Sequence, residues 1–245
     1  MELTTYQWGQ ALLATFILGI SKAGIKGISV IIVAIMAWVF GSKSSTGVLM
    51  PLLNAADLIA VFYYTRHANW KLLWRLLPWM AIGVLFGVYL GKDLPEDIFK
   101  QGMAVIILLT VGMMFWWDRN PNRKIPNNIY FAGGMGLAAG FTTMIGNLAG
   151  AFSNIFFLAM RLPKNEFIGT AAWLFFIINL FKLPFHIFVW KTVNWQSILV
   201  NVRLVPALIL GFIVGIFLVK KIKDHTYRYM ILVLTAIGAI AIFFR

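Results

Sequence analysis

Long apolar runs dominate this chain and constrain its fold more than any other feature. A helix needs about 20 apolar residues to cross a bilayer. Six runs reach that length, at about 45–64, 72–90, 98–117, 167–190, 197–219 and 226–244. Only 12 % of the 245 residues are charged and 61 % are hydrophobic, which leaves too few charges for the surface of a soluble domain of this size. The sequence therefore predicts an all-α polytopic membrane protein.

Two further apolar stretches, 7–40 and 129–160, are interrupted in the middle by small and polar residues. The first interruption, Gly19–Ser29, reads GISKAGIKGIS, and the second, Gly140–Gly150, reads GFTTMIGNLAG. Each leaves about a dozen helical residues on either side, which is short for a membrane span. We predict half-helices that meet within the membrane, arranged either as a re-entrant hairpin or as two short full crossings.

The order of elements occurs twice, as a broken stretch followed by three spans. Matching residues lie at matching places, since an Asn stands 16 residues before the Trp of an Asn-Trp pair in both halves. The pairs of equivalent residues are Asn54 and Asn179, Trp70 and Trp195, Pro78 and Pro206, Gly83 and Gly211, and Gly87 and Gly215. We predict two repeats, residues 1–120 and 121–245, each a broken or re-entrant helical hairpin plus three transmembrane helices.

The distribution of Lys and Arg predicts the topology. If each broken stretch returns to its starting side or crosses twice, the loops near 66–75, 119–124, 161–164 and 220–228 share one side. That side holds 12 Lys and Arg residues against five on the other, and such an excess marks the cytoplasmic side. Each half then crosses the membrane an odd number of times, so the repeats are inverted. Both termini are predicted to lie outside the cytoplasm.

Several function classes have no support in the sequence. The net charge of +13 is spread over short clusters between apolar runs rather than gathered on one face, so we predict no nucleic acid partner. The chain has no Cys and its three His are scattered, so we predict no metal and no cofactor. No nucleophile with a nearby base lies in the apolar regions. We predict that the chain is not an enzyme.

Five charged residues remain inside the apolar regions: Lys22, Lys26, Asp57, Lys182 and Arg203. Ionisable groups at membrane depth are costly, and they are usually paired or line a pathway. Asp57 and Lys182 stand three residues after Asn54 and Asn179 respectively, so each charge shares a helix face with its Asn. We predict a buried Asp57–Lys182 pair, which either locks the two halves together or takes part in transport.

The first interruption is typical of an anion site. Its lysines lie beside the N-terminus of a half-helix, where free N–H groups and the helix dipole favour negative charge. The second interruption supplies hydroxyls and an amide. The predicted substrate-binding residues are Ser21, Lys22, Gly24, Lys26, Gly27, Asn54, Thr142, Thr143, Asn147, Asn179 and Lys182, and Asp57 and His186 are the predicted gating or coupling residues. The alternative is that Lys22 and Lys26 snorkel to the cytoplasmic interface while the glycines only pack helices.

With these motifs, the chain resembles the sulfite exporter TauE/SafE family, also called the 4-toluene sulfonate uptake permeases. The resemblance covers nearly the whole length. It rests on the glycine-rich interruption in each half, on the two Asn-Trp pairs, and on the Gly-x-x-x-Gly motifs Gly83/Gly87 and Gly211/Gly215. The chain departs from the usual pattern at Lys22 and Lys26, where glycines are common in the family. That difference strengthens the interpretation as an anion site.

The resemblance implies a secondary transporter, in particular an exporter, of a small sulfur-containing anion such as sulfite or a short organosulfonate. Its partners would be that anion and the lipid bilayer, while the sequence leaves a homodimer open. We expect a multi-pass protein of the bacterial inner membrane. The alternatives are an anion channel of the same fold and a non-transporting membrane assembly protein.

Overall fold

The computed structural model describes residues 3–64, 67–102, 105–106, 109, 112, 128–223, 226–227, 230–231 and 233. Within these ranges all regular structure is helical and no strand occurs, which confirms the all-α prediction. The helices are α1 (Thr5–Lys22), α2 (Ser29–Phe40), α3 (Ser42–Tyr64), α4 (Trp70–Gly91), α5 (Ile129–Gly146), α6 (Ala149–Ala159), α7 (Lys164–Pro184) and α8 (Trp195–Lys221). Residues 96–102 are also helical.

Five of these helices are long and apolar enough to cross a membrane. They are α3, α4, α5, α7 together with its π-helical extension Phe185–Val189, and α8. Four of the six predicted spans are thereby confirmed as helices. The other two, 98–117 and 226–244, lie largely outside the described residues, as do the loop 119–124 and the boundary between the two predicted repeats.

The two Asn-Trp pairs mark helix starts. Asn69 Oδ1 accepts a hydrogen bond from the backbone N–H of Leu72 at 3.1 Å, which caps α4. Asn194 Oδ1 accepts from the N–H of Ser197 at 2.9 Å and caps α8 in the same way. A side-chain oxygen at this position satisfies an N–H group that the helix itself leaves free. Each Asn-Trp pair therefore marks the start of a long apolar helix.

Both predicted interruptions are present, and they are narrower than the sequence suggested. Between α1 and α2, Gly24 and Gly27 adopt φ values of +133° and +102°, which side chains with a Cβ rarely tolerate. Between α5 and α6, Asn147 has left-handed backbone angles and ends α5, as is common for Asn at a helix C-terminus. Thr142 and Thr143 consequently lie on the last turn of α5 rather than in irregular backbone.

The first helix of each half packs against a helix of the other half. The most extensive contacts join α5 to α4 and α1 to α8, while α3 packs against α7 between them. Glycines allow the close approach. A Cβ on Gly140 would overlap the backbone of Met80, and one on Gly211 would overlap the backbone of Phe16. Small residues at helix contacts serve this purpose in membrane bundles.

We predict that Gly140→Ala lowers the thermal unfolding midpoint in detergent micelles. The new methyl group meets the α4 backbone, and overpacking of this kind costs about 1–3 kcal/mol. Gly134→Ala is the matched control, because it lies on the same helix with nothing within 4 Å of its Cβ position. The control should be neutral or stabilising by up to ~1 kcal/mol, since Ala favours helix over Gly. Equal effects at both positions would contradict the α4–α5 packing.

Candidate functional site

A chain of buried polar side chains connects the first interruption to the second. Lys22 Nζ donates to Asp57 Oδ1 at 2.6 Å, and Asn179 Nδ2 donates to Asp57 Oδ2 at 2.7 Å. Both oxygens of a fully buried carboxylate are therefore engaged. The ion pair links the end of α1 to α3, and the amide links α3 to α7.

Lys182 continues this chain into the second interruption. Its Nζ donates to Thr143 Oγ1 at 3.0 Å, to Asn147 Oδ1 at 2.8 Å and to Asn179 Oδ1 at 3.3 Å. An ammonium group has three hydrogens to donate, so the three oxygens satisfy it. The side chain is fully buried. Lys182 thus lies among neutral acceptors and has no carboxylate in hydrogen-bonding contact.

The predicted Asp57–Lys182 ion pair is wrong. Asp57 pairs with Lys22, and Asn179 lies between Asp57 and Lys182, using its Nδ2 toward the carboxylate and its Oδ1 toward the ammonium. An amide can bridge in this way because it carries both donors and an acceptor. The i, i+3 spacing correctly placed Asn179 beside Lys182. The sequence offered no signal that Lys22, at the end of α1, pairs with Asp57.

A cavity of about 40 Å³ lies beside this polar chain. We call it the central cavity. Six of the predicted substrate-binding residues line it, namely Ser21, Lys22, Lys26, Thr143, Asn147 and Asn179. The two interruptions, which are far apart in sequence, therefore contribute to one site.

The N-termini of α2 and α6 meet at the central cavity. Ser29, the first residue of α2, and Gly150, in the first turn of α6, both line it. A Cβ built on Gly150 would lie 3.3 Å from Ser29 Oγ, so the two helix ends are in contact. The first N–H groups of a helix have no acceptor within the helix itself. These groups and the positive ends of two helix dipoles favour an anion here.

Lys26, the second lysine at the central cavity, forms no ion pair with a described residue. Its side chain is buried, and its Nζ lies 5.6 Å from the centroid of the Phe175 ring. Lys22 Nζ lies 4.9 Å from the same centroid. No described residue accepts a hydrogen bond from Lys26, whereas Lys22 has Asp57. Because both lysines are buried inside the protein, the alternative that they snorkel to the membrane interface is wrong.

A family model described as Sulfite exporter TauE/SafE matches residues 11–242. The chain belongs to the sulfite exporter TauE/SafE family. Comparisons with curated proteins and with solved structures found no match. Membership of the family implies a membrane transporter of sulfur-containing anions.

Some predicted residues of this TauE/SafE protein do not line the central cavity. Gly24 faces the side chains of Ile168 and Val219, and its N–H donates to Ser21 O at 3.2 Å. The expectation of free backbone amides around Gly24 is therefore wrong for Gly24 itself. The other predicted substrate-binding residues that do not line the cavity are Gly27, Asn54, Thr142 and Lys182. Asn54 and Thr142 use their side chains on carbonyl groups of their own helices.

Two tyrosines hold the backbone of the first interruption. The hydroxyl of Tyr64, at the end of α3, donates to Ala23 O at 2.7 Å. The hydroxyl of Tyr227 donates to Gly24 O at 2.6 Å. Helix C-termini leave carbonyl groups unsatisfied, so these bonds complete the end of α1 and help to position Lys22.

His186 lies away from the central cavity, in the π-helical turn after α7. Its Nδ1 lies 2.9 Å from Thr192 Oγ1, and its buried Nε2 has no partner among the described residues. Its ring packs edge-on against Trp190, with 5.2 Å between centroids. The structure therefore places His186 next to the 190–194 segment, while Asp57 lies in the central polar chain. A coupling role for His186 stays a prediction.

Six further lining residues were not among the predicted site residues, and three of them are polar or aromatic: Ser29, Asn154 and Phe175. Asn154 is 2 % exposed, and its Oδ1 has no described hydrogen-bond partner. Helical spacing could have found two of the three. Phe175 precedes Asn179 by one helical turn, and Asn154 follows Gly150 by one turn, which places each on the same face as a predicted residue or interruption. The described residues contain no group of three or more metal-binding side chains.

We predict that Asp57→Leu destabilises the protein by about 3–5 kcal/mol, because it leaves the Lys22 ammonium buried without a counter-charge. Adding Lys22→Met should recover most of that loss, since replacing a whole buried ion pair by apolar residues is often neutral. Unfolding midpoints in detergent, measured for both single variants and the double variant, give the coupling energy.

The matched control combines Asp57→Leu with Lys182→Met. That second substitution removes a cation that does not touch the Asp57 carboxylate, and it should not restore stability. If Lys182→Met restored stability and Lys22→Met did not, Asp57 on α3 would pair with Lys182 on α7 instead of with Lys22.

Proposed function

We propose that this protein is a secondary transporter, acting as an exporter, and that it binds a small sulfur-containing anion in the central cavity. Sulfite and the head group of a short organosulfonate have suitable chemistry. The observation that carries the proposal is the unpaired Lys26 ammonium at a cavity where two helix N-termini meet. Broken helices that present their N-termini to a shared site are a common way for transporters to hold anionic groups.

Each lining group has a distinct part in this proposal. Lys26 supplies the charge that attracts the anion, and the amides at the start of α2 donate hydrogen bonds to its oxygens. Lys22 contributes less charge, because Asp57 already neutralises it. Thr143 and Asn147 lie on the opposite wall, where Lys182 orients them. At about 40 Å³ the cavity is small, so an organic tail would require the site to open.

The packing supports a duplicated, inverted architecture. α1 packs on α8 as α5 packs on α4, which is the pattern expected if one half is the counterpart of the other. Around the central cavity, the halves meet through the hydrogen bond between Asp57 and Asn179. Alternating access in transporters of this kind moves one repeat against the other around a fixed site. We propose that this polar layer is where the two repeats separate.

The proposed direction of transport, export, follows from the negative charge of the substrate. An anion that leaves through an inside-negative potential gains about 2.3 kcal/mol per charge per 100 mV. With the Lys- and Arg-rich loops in the cytoplasm, both termini lie outside, and export from a bacterial inner membrane needs no further energy source. Uptake would require a co-transported ion.

The experiment is flux into liposomes that contain the purified protein. Sulfite, sulfoacetate, taurine, sulfate and chloride are each tested with and without an imposed potential. We expect saturable flux of a sulfur-containing anion, and counterflow in the presence of internal substrate. Ohmic currents without saturation would indicate a channel instead. Folded protein that moves none of the five would overturn the proposal and favour an assembly role.

We predict that Lys26→Gln raises the KM for the transported anion about ten-fold or more, because a hydrogen bond from a charged donor contributes about 1.5–3 kcal/mol. Lys71→Gln is the matched control, since that lysine is exposed in the first turn of α4. Its KM should equal that of the unmodified protein. An unchanged KM in Lys26→Gln would remove Lys26 from the site.

A further inference from the structure

A second cavity lies at the opposite end of α3 from Tyr64. It has a volume of about 290 Å³ and is bounded by the first turns of α3 and α8 and by the 190–194 segment between them. We call it the α3–α8 cavity. Its polar lining includes Lys43, Ser44, Lys191, Thr192, Asn194 and Gln196. The sequence-based site residues do not include any of these.

The charge of the α3–α8 cavity is positive. Lys43 and Lys191 line it, and no carboxylate does. The Glu96 carboxylate, which does not line the cavity, accepts from the backbone N–H of Lys43 at 3.2 Å. Lys43 Nζ is held by the carbonyl groups of Lys92 and Leu94. Lys191 is exposed, and the described residues offer no acceptor for it, so its ammonium is available to a ligand.

Lys191 adopts an unusual backbone conformation, with φ of +53°. For a residue other than Gly, the left-handed backbone conformation is less favourable by about 1–2 kcal/mol. Its neighbours hold it there, because the N–H groups of Thr192 and Val193 both donate to His186 O, at 2.9 Å and 3.3 Å. Strained residues of this kind concentrate at functional sites. Here the strain directs one lysine to the wall of a polar cavity.

The wall between the two cavities is thin. Asn147 lines the central cavity, and its Nδ2 lies 3.4 Å from Thr46 O. Thr46 is on the turn of α3 between Ser44 and Val48, which line the α3–α8 cavity. A hydrogen bond of that length is weak. This contact therefore connects the second interruption, at the central cavity, with the first turns of α3, at the α3–α8 cavity.

We propose that the α3–α8 cavity is a second binding site for small oxyanions, through which the transported anion passes between the central cavity and this face of the bundle. Lys191 attracts the anion electrostatically, and the hydroxyl and amide groups of the lining replace part of its hydration. The exposed position makes this site weaker than the central one, so that an anion reaching it is released. The role in transport rests on the proposed function, whereas anion binding can be tested without it.

The binding test uses the absence of natural cysteines. Gln196→Cys is introduced into the otherwise Cys-free chain, and its rate of modification is measured with methanethiosulfonate reagents carrying a sulfonate or a trimethylammonium group. We expect faster reaction with the anionic reagent, and we expect sulfate to slow it. Adding Lys191→Gln should reduce the anionic rate several-fold and abolish the protection. Both effects should weaken as salt rises, because exposed charges are screened.

Lys92→Gln is the matched control. Lys92 lies on the same face, forms an ion pair with Asp93 at 3.5 Å and does not line the cavity. It should leave the modification rates and the sulfate protection unchanged. The binding proposal is overturned if sulfate does not protect Cys at position 196, or if Lys92→Gln and Lys191→Gln have the same effect.

The transport role has a separate readout, the KM measured from each side of the liposome membrane. Lys191→Gln should raise the KM several-fold from the side on which residue 191 is exposed, and leave it unchanged from the other side. An unchanged KM from both sides, with transport intact, overturns the role of the α3–α8 cavity but not the proposed function. Absence of any flux in the unmodified protein would instead overturn the proposed function.

Discussion

The buried ion pair between Lys22 and Asp57 is the interaction on which the rest of the site depends. It fastens the end of α1, where the helix breaks, to the middle of the bundle. A charge taken out of water is tolerated only when paired and hydrogen-bonded, and Asn179 completes the Asp57 carboxylate. With that charge neutralised, Lys26 is left as the lysine at the central cavity that has no hydrogen-bond acceptor among the described residues. The pair therefore both closes the first interruption and determines which lysine is free for an anion.

The two predicted repeats place the cation and its acceptors on exchanged elements. In each, two polar residues four apart mark the interruption, Lys22 and Lys26 in the first half and Thr143 and Asn147 in the second. In the first half the interruption supplies the cation and α3 supplies the acceptor. In the second the acceptors belong to the interruption, and the cation is Lys182 on α7. The polar chain crosses between halves at a neutral amide, a contact that costs less to break than an ion pair would.

Much of the fold could be predicted because its signals are local. The length of the apolar runs, the interruptions and the Asn caps each depend on residues close in sequence. The partner of Asp57 could not be found in this way. Equivalence of Asp57 and Lys182 suggested that they face each other, whereas α1 brings Lys22 to the carboxylate over a separation of 35 residues. Gly24 shows the same limit of prediction from sequence. A glycine there is a local signal, because the turn requires a positive φ. The side chains around it come from α7 and α8, which are distant in sequence.

The sequence by itself determined that this chain is an all-helical membrane protein with two interrupted helices and buried charges, because hydropathy and spacing act within single segments. It also located half of the twelve residues that line the central cavity. Only the tertiary structure decided which charges neutralise each other, that Asn179 bridges them, and that the N-termini of α2 and α6 meet. It alone revealed the α3–α8 cavity, whose lining comes from segments about 150 residues apart. Pairing of charges depends on distances in space, and a sequence does not contain those distances.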